Sequence, residues 1–281
     1  MAVFCLDATM GRMTIDGRQI AEEIFEEIKQ SIAGKEISLS VFIVGNDPAT
    51  ESFVRIKKQK AAEVGISLKE IRFGKDVTEE ELTEAVQKEA GGNHPIVVQL
   101  PLPKHIQKRN VLDAIPEKLD VDVLSSESMM HFGTGKLDVF PPVIGAVKEV
   151  LERTSVDPKG KEIVVIGKGA LVGLPAEMWF KQIPGTEVSV ADSSTEDLGK
   201  LTKNADILLS GVGIPGLIQP NMIRDDSVLL DAGTSEAAGM LRGDIAPACA
   251  EKAAVYTPVP GGIGPITVAI LLRNTMTKAL S

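Results

Sequence analysis

The sequence predicts an α/β protein with parallel sheets, folded as two domains. Apolar, β-branched runs alternate with helical patterns along the 281 residues, and this alternation is typical of strands joined by right-handed helical crossovers. The runs are continuously apolar rather than alternating, as expected for parallel strands covered on both faces. An irregular segment, Leu119–Val143, contains Gly133, Gly135 and the pair Pro141–Pro142, and it marks the predicted break between domains.

The predicted elements follow from these runs and from local end signals. The predicted strands are Leu39–Gly45, Pro95–Pro101, Glu162–Gly167, Glu187–Asp192, Asp206–Gly213, Ser227–Gly233 and Ala254–Val259. A helix is predicted over Asp16–Ile32, where isoleucine recurs at every fourth position from Ile20. A second helix is predicted over Thr78–Ala90, because Thr78 and Glu81 have the spacing of a capping box at its N-terminus. A third, Pro265–Leu280, begins with proline in its first turn.

Composition excludes several classes of function. The net charge of -9 argues against a nucleic-acid partner, which would need a basic face. No apolar run approaches the roughly 20 residues of a membrane helix, so no membrane partner is expected. The two cysteines, Cys5 and Cys249, have neither metal nor redox spacing, and a reducing cytoplasm is the simplest location. His94, His105 and His131 are scattered, so no metal is expected.

A glycine-rich turn follows the strand Glu162–Gly167 and precedes a predicted helix. Glycines at 167, 169 and 173 fall at G-x-G-x-x-x-G spacing, one residue longer than the usual dinucleotide fingerprint. Such glycines let the backbone turn tightly and let a pyrophosphate approach the amides of a helix N-terminus. Asp192 ends the next strand, where an acidic residue can bind ribose hydroxyls. The alternative is an ordinary strand-to-helix turn, which also favours glycine.

A candidate catalytic helix follows the strand Leu39–Gly45 and ends at Gly65. Its apolar face is predicted to carry Phe53, Ile56, Ala61 and Val64. Lys57, one turn after Phe53, should point partly inward, where burial would lower the pKa of its amine and suit it to proton transfer. Lys60 also lies near this face, so spacing leaves both lysines open. Either lysine could instead extend its charged end to water.

Two acidic residues, Asp120 and Asp122, alternate along an extended stretch of the irregular segment. They could face a cleft together with the end of the strand Pro95–Pro101. The alternative is a solvated loop.

Several segments together resemble one family, the bifunctional methylenetetrahydrofolate dehydrogenase/methenyltetrahydrofolate cyclohydrolases. The most specific marks are Val97–Pro103 and Thr257–Thr267, while the segments around Lys57 and Gly167 match more loosely. The resemblance implies a catalytic folate-binding domain over residues 1–120 and 261–281, to which the C-terminal helix returns. It implies a Rossmann-like NAD(P)-binding domain over residues 121–260, a homodimer, and an active site between the domains.

The resemblance also implies a role for individual residues. Lys57 falls on the catalytic lysine, Gln99 on the glutamine that hydrogen-bonds it, and Asp122 on the aspartate that binds the pterin ring. The implied substrate-binding residues are Phe53, Leu100, Pro101, Pro260, Gly261 and Gly262. The implied coenzyme-binding residues are Gly167, Lys168, Gly169, Val172, Gly173, Asp192, Ser193, Ser194 and Thr234.

The sequence departs from the family near the predicted catalytic lysine. Phe53 replaces a tyrosine, which keeps the ring but loses the hydroxyl, and Gln59 replaces a second lysine. Val123 replaces the glycine after Asp122. A monofunctional dehydrogenase is therefore an alternative, and a non-catalytic dinucleotide sensor is another, although the presence of Lys57, Gln99 and Asp122 argues against the sensor.

The coenzyme turn departs further. Lys168 stands where the family commonly has arginine, and Asp192 where it has histidine. Asp192 would repel a ribose phosphate and favour NAD, whereas Lys168 and the hydroxyls of residues 193–195 can bind that phosphate. NADP is the favoured coenzyme and NAD the alternative. The expected chemistry is oxidation of 5,10-methylenetetrahydrofolate followed by hydrolysis to 10-formyltetrahydrofolate.

Overall fold

The structure, a computed structural model, describes residues 4–7, 12–237 and 240–281. The strands are β1 (Phe4–Asp7), β2 (Arg12–Ile15), β3 (Ile37–Val44), β4 (Ile66–Phe73), β5 (Ile96–Val98), β6 (Glu162–Ile166), β7 (Glu187–Ala191), β8 (Ile207–Ser210), β9 (Val228–Asp231), β10 (Ser235–Ala237), β11 (Met240–Arg242) and β12 (Val255–Tyr256). The α-helices are α1 (Gly17–Ser31), α2 (Pro48–Val64), α3 (Glu79–Ala90), α4 (Lys108–Asp113), α5 (Ser126–Gly133), α6 (Pro142–Arg153), α7 (Gly173–Phe180), α8 (Leu198–Thr202) and α9 (Ile263–Leu280).

The chain divides into two compact units. Unit 1 comprises Met1–Glu22 and Val143–Thr267, and unit 2 comprises Glu23–Pro142 and Val268–Ser281. The domain boundaries expected from the sequence, 120/121 and 260/261, differ from those of the compact units and stay predictions.

Unit 1 is built on a sheet whose strand order in the described residues is β1-β2-β12-β9-β8-β6-β7. Neighbouring strands from β2 to β7 pair in parallel, and β1 pairs antiparallel with β2. The five strands predicted from the sequence for this half of the chain appear as β6, β7, β8, β9 and β12, which confirms the parallel α/β prediction. Continuous burial of β8 and β9 explains their unbroken apolar sequences, because both faces are covered. Strands β1, β2, β10 and β11 were not predicted.

Unit 2 contains a three-stranded parallel sheet in the order β4-β3-β5. The two strands predicted for this half of the chain appear as β3 and β5. Strand β4 escaped prediction because it lies at the edge of the sheet, where Lys69, Glu70 and Arg72 interrupt its apolar positions.

The predicted helices form where their end signals place them. In α1, Ile20, Ile24 and Ile28 are all fully buried. Helix α3 carries the predicted capping box between Thr78 and Glu81. The second half of α9 belongs to unit 2, where the Asn274 side chain donates hydrogen bonds to the carbonyl oxygens at 121 (2.9 Å) and 140 (2.8 Å). The C-terminal helix therefore packs with the N-terminal α/β unit, as expected. Within the described residues, every helix is too short or too polar to cross a bilayer.

Candidate active site

Helix α2 places Lys57 on its buried stripe. Positions 50, 54, 57, 61 and 64 recur at intervals of three and four residues and therefore share one face. The other four residues on that face are Thr50 (7% exposed), Val54 (2%), Ala61 (0%) and Val64 (3%). Lys57 fills the remaining position and is half-buried. The start of the helix is fixed by Asp47, whose Oδ2 accepts the Thr50 amide at 2.9 Å.

The apolar face predicted from the sequence is wrong at two positions. Phe53 and Ile56 are 46% and 43% exposed, whereas Ala61 and Val64 are buried as expected. The buried stripe runs through Val54 instead of Phe53, one residue along the helix. Lys57 points inward because it lies between Val54 and Ala61, and Phe53 is left available on the surface one turn before it.

Lys57 bonds to a glutamine at the end of β5. Its Nζ donates to Oε1 of Gln99 at 2.9 Å. The backbone N–H of Gln99 donates to the Phe42 carbonyl oxygen at 2.9 Å, and its side-chain Nε2 donates to the Leu100 carbonyl oxygen at 2.9 Å. Both the backbone and the side chain of Gln99 are therefore fixed. Lys60 pairs instead with Glu63 at 2.8 Å. Of the two candidate lysines, Lys57 is the one that faces Gln99.

Leu100 and Pro101 continue the chain beyond Gln99. Leu100 packs against the core of unit 2, Pro101 is exposed, and a cis peptide bond joins them. These residues bring an apolar surface next to the polar pair of Lys57 and Gln99.

Asp120 and Asp122 do not lie in a solvated loop, and their environments differ. Asp120 is 1% exposed, and its Oδ2 accepts the amide N–H groups of Leu124 (3.0 Å) and Ser125 (2.8 Å). Asp122 is half-buried. Burial raises the pKa of the Asp122 carboxyl, the positive charge of Lys57 lowers it, and the negative charge of Asp120 raises it again. Asp122 therefore shares an electrostatic environment with Lys57.

The glycine-rich turn of unit 1 follows β6. Gly167 adopts φ +102°, which requires glycine, and its N–H donates to the Ala191 carbonyl oxygen at 2.8 Å. A Cβ at Gly173 would lie 1.9 Å from the Gly167 carbonyl oxygen, so the first turn of α7 packs directly on the glycine turn. Val172, just before α7, is buried.

This turn has room for a ligand. A Cβ at Gly169 would meet no described atom within 4 Å. Val172, which precedes the first turn of α7, makes no side-chain capping hydrogen bond. Leu174 already donates its N–H to the Gly169 carbonyl oxygen at 3.0 Å and Pro175 has no N–H, so the open space at Gly169 is the feature that fits the pyrophosphate of a dinucleotide.

Lys168 and Asp192 form an ion pair beside the glycine-rich turn. Lys168 Nζ lies 2.6 Å from Oδ2 of Asp192. Oδ1 of Asp192 accepts the N–H and the hydroxyl of Ser194 at 2.9 and 2.5 Å, while Ser193 is exposed. The pKa of the Asp192 carboxyl is held well below its usual range, first by Lys168 and then by Ser194. Its negative charge is thus balanced by a neighbouring lysine.

Sequence reasoning missed two buried carboxylates that shape the loops after β8 and β9. Asp244 is fully buried and accepts the Ser210 hydroxyl (2.7 Å) and the amides of Val212 (2.8 Å) and Ile214 (2.7 Å). Asp231 is 1% exposed and accepts the amides at 233, 244 and 245 at 3.0, 3.1 and 2.8 Å. The one available signal was for Asp231, which ends the apolar strand β9 two residues before Gly233.

These loops carry the remaining predicted residues of unit 1. Thr234 is exposed after β9, and a Cβ at Gly213 would lie 3.5 Å from its carbonyl oxygen. Pro260 is exposed and follows a cis peptide bond, and Gly262 donates its N–H to the Pro258 carbonyl oxygen at 2.7 Å. Gly261 accepts the Gly17 amide at 2.8 Å.

The predicted site residues thus fall into two groups, one in each unit. Lys57, Gln99, Asp122, Phe53, Leu100 and Pro101 belong to unit 2, and the glycine turn, the residues near Asp192, Thr234 and Pro260–Gly262 belong to unit 1. Across the described residues, no three His, Cys, Asp or Glu side chains are grouped so as to hold a metal ion.

Comparison with known families accounts for almost the whole chain. The model for the catalytic domain of tetrahydrofolate dehydrogenase/cyclohydrolase matches residues 15–122, and the model for its NAD(P)-binding domain matches residues 141–281. The chain is similar to the bifunctional protein FolD of Exiguobacterium sibiricum, with 35% identity over 275 residues that cover 95% of this chain and 99% of the relative.

Two solved structures are similar to the fold. The bifunctional FolD enzyme of Campylobacter jejuni has a TM-score of 0.90 and 31% identity, covering 95% of this chain and 98% of that one. The Trypanosoma brucei methylenetetrahydrofolate dehydrogenase-cyclohydrolase, solved with NADP and an inhibitor, has a TM-score of 0.90 and 33% identity, covering 96% and 97%.

Proposed function

Because the chain belongs to the tetrahydrofolate dehydrogenase/cyclohydrolase family, we propose that Lys57, Gln99 and Asp122 carry the chemistry of its folate site. The protein is a bifunctional one-carbon enzyme. It oxidises 5,10-methylenetetrahydrofolate to 5,10-methenyltetrahydrofolate with NADP and hydrolyses that product to 10-formyltetrahydrofolate.

When bound, NADP would supply the hydride acceptor for oxidation of the methylene bridge of the folate. The amides of the turn Gly167–Gly173 would bind its pyrophosphate, an assignment supported by the open space at Gly169. Lys168 and the hydroxyls of Ser193 and Ser194 would bind the ribose phosphate. Thr234 would lie beside the coenzyme in the loop after β9.

Lys57 moves the proton in the hydrolytic step. Water adds to the methenyl carbon and loses one proton. The resulting hydroxyl group then loses its own proton to become the formyl C=O as the bond from that carbon to N5 breaks, N5 takes up one proton, and the formyl group remains on N10. One proton is released overall. The observation that carries this assignment is the 2.9 Å hydrogen bond from Lys57 Nζ to Gln99, which holds a half-buried amine in one direction.

Asp122 binds the pteridine ring. Its carboxyl group lies within the electrostatic reach of Lys57, and its oxygens can accept hydrogen bonds from the N–H groups of that ring. Phe53, Leu100 and Pro101 supply apolar surface for the ring faces. Pro260, Gly261 and Gly262 are further proposed substrate-binding residues, as the family resemblance implies.

The test is the substitution Lys57→Met, with Lys60→Met as the matched control. Loss of general acid–base catalysis should lower the hydrolysis rate by at least about a hundredfold, while NADPH formation stays measurable. Lys60→Met should leave hydrolysis unchanged because Lys60 pairs with Glu63. The hydrolysis rate is measured as the loss of methenyltetrahydrofolate absorbance. Wild-type hydrolysis in Lys57→Met would refute the assignment.

We also infer a cytoplasmic homodimer. The hairpin of β10 and β11 presents Met240 and Leu241 at 57% and 48% exposure, and these side chains support an interface between two copies. Cys249 is a buried free thiol, in keeping with a reducing compartment. Sedimentation of the wild type as a dimer, and of a Met240→Ser, Leu241→Ser variant as a monomer, would test the interface. That neither nucleic acid, membrane nor metal takes part stays a prediction.

A further inference from the structure

The turn after Leu119 holds a buried carboxylate and a strained residue three positions apart. Asp120 is 1% exposed and Val123 is fully buried. Val123 adopts φ +57°, in the left-handed region. A β-branched residue is an outlier there, because its Cβ is brought too close to the following carbonyl oxygen. The surrounding structure must therefore enforce this conformation.

Two hydrogen bonds that Asp120 accepts hold Val123 in this conformation. Its Oδ2 accepts the amides of Leu124 and Ser125 at 3.0 and 2.8 Å. These amides come directly after Val123, so both bonds require the chain to turn back at Val123. Asp120 itself is anchored by a parallel bridge to Ile96, the first residue of β5. The carboxylate thus ties the turn to the strand that ends next to Gln99.

Packing alone does not account for a carboxylate at this position. Its second oxygen, Oδ1, is buried and meets no hydrogen-bond donor within the part of the chain that the structure describes. A buried carboxylate with an unpaired oxygen is costly, and an apolar side chain would fill the space without that cost. An apolar residue could not accept the hydrogen bonds from Leu124 and Ser125, and these two bonds are what Asp120 contributes.

Asp122 lies between these two residues. Its backbone joins the anchored Asp120 to the strained Val123, so the turn sets the direction of its side chain. The positive charge of Lys57 lowers the pKa of the Asp122 carboxyl, so the two groups interact. We propose that Asp120 is a positioning residue, which holds Val123 in the left-handed conformation and thereby aims the Asp122 carboxyl into the folate site. This inference rests on the role proposed above for Asp122.

The test compares two double variants that differ in a single methyl group. Asp120→Ala removes both hydrogen bonds, and a displaced Asp122 should raise the KM for folate by about tenfold or more. Adding Val123→Gly lets the turn adopt its positive φ without strain, so the hydrogen bonds to Asp120 are no longer needed. Adding Val123→Ala removes nearly the same side-chain volume but keeps a Cβ at positive φ, so the strain remains. The Gly double variant should recover folate KM by at least about threefold over the Ala double variant.

NADP affinity, measured by calorimetry, shows whether unit 1, which holds the glycine turn, is intact, and it should stay at the wild-type value in all variants. A cooperative unfolding transition in urea shows that unit 2, which holds residues 120 and 123, is folded in each variant. Equal folate KM in the two double variants would overturn the proposal, and so would wild-type KM in Asp120→Ala. If Asp120→Ala does not fold, the same pair is made with Asp120→Asn, whose amide oxygen accepts more weakly, and is judged by the same criterion.

Asp122→Asn separates this inference from the function on which it rests. Unchanged folate KM in Asp122→Asn would refute the pterin-binding role itself. A raised KM in Asp122→Asn together with equal double variants would refute only the positioning role of Asp120.

Discussion

Lys57 and Gln99 lie 42 residues apart in the sequence and are joined by a hydrogen bond of 2.9 Å. The orientation of the Gln99 amide is fixed by its own bond to the Leu100 carbonyl oxygen, so its Oε1 must face the lysine. This pair therefore holds the amine in one fixed direction, which a group that transfers a proton to or from the folate requires.

Phe53→Tyr should accelerate hydrolysis. Phe53 is 46% exposed and lies one turn before Lys57 on α2, so a hydroxyl added to its ring lies near the amine and the folate. A hydrogen bond to a charged partner contributes about 1.5–3 kcal/mol, which corresponds to a rate increase of roughly tenfold or more if it forms only in the transition state. The measurement is the ratio of hydrolysis to NADPH formation.

Phe53→Leu is the matched control for that change. It removes the ring, so the KM for folate should rise in both reactions while their ratio stays the same. If Phe53→Tyr left the ratio unchanged, the hydroxyl would have no partner in this site.

The sequence allowed Lys57 to be proposed but not for the right structural reason. Its inward direction comes from the spacing of Val54, Lys57 and Ala61 on one face, a pattern already present in the sequence. The larger residues Phe53 and Ile56 suggested a different face, because an apolar residue is not always a buried one. Spacing alone left Lys57 and Lys60 open, and the family resemblance chose Lys57. The structural reason for that choice is the position of Gln99, which depends on how β5 packs in the sheet.

The parallel strands of unit 1 were predictable because burial on both faces leaves unbroken apolar runs. Asp231 and Asp244 were not, since each interacts with backbone amides of distant loops that no periodicity reveals. The left-handed conformation of Val123 was equally hidden, because valine is the residue type least expected there.

Gly169→Ala and Gly173→Ala should separate binding from folding. A Cβ at Gly169 meets no described atom within 4 Å, so stability should be unchanged, but the methyl group would occupy space proposed for the pyrophosphate and lower NADP affinity by about tenfold or more. A Cβ at Gly173 would lie 1.9 Å from a carbonyl oxygen, so this variant should lose about 1–3 kcal/mol of unfolding free energy. Calorimetry and urea unfolding measure the two effects. Full NADP affinity in Gly169→Ala would place the pyrophosphate elsewhere.

Coenzyme choice should depend on the ion pair of Lys168 and Asp192. Asp192→Asn removes a negative charge and releases Lys168 for the ribose phosphate, so the affinity for NADP relative to NAD should rise, by about tenfold. Lys168→Ala leaves the Asp192 charge unbalanced and should lower the same ratio. Calorimetric titration with both dinucleotides gives the values without catalysis. If neither variant altered the ratio, this pair would not contact the ribose phosphate.

Asp231 combines opposing influences on one buried carboxyl group. Burial raises its pKa to about 7, and the negative charge of Asp244 adds to this effect, although three backbone amides donate hydrogen bonds that lower it. The folded protein therefore keeps a proton on Asp231 at pH values where the unfolded chain has lost it.

This raised pKa predicts that stability falls as pH rises. Between the ordinary aspartate pKa near 4 and the folded value of about 7, the folded state binds the extra proton, so its stabilising contribution is full below that range and is lost as pH rises through it. The free energy of unfolding in urea should drop by about 2 kcal/mol more between pH 5 and pH 8 in the wild type than in Asp231→Asn, which cannot titrate. The comparison uses the slope with pH rather than absolute stability, because asparagine also alters the three hydrogen bonds. Equal slopes in the two proteins would mean that the amide donors outweigh burial and keep Asp231 ionised.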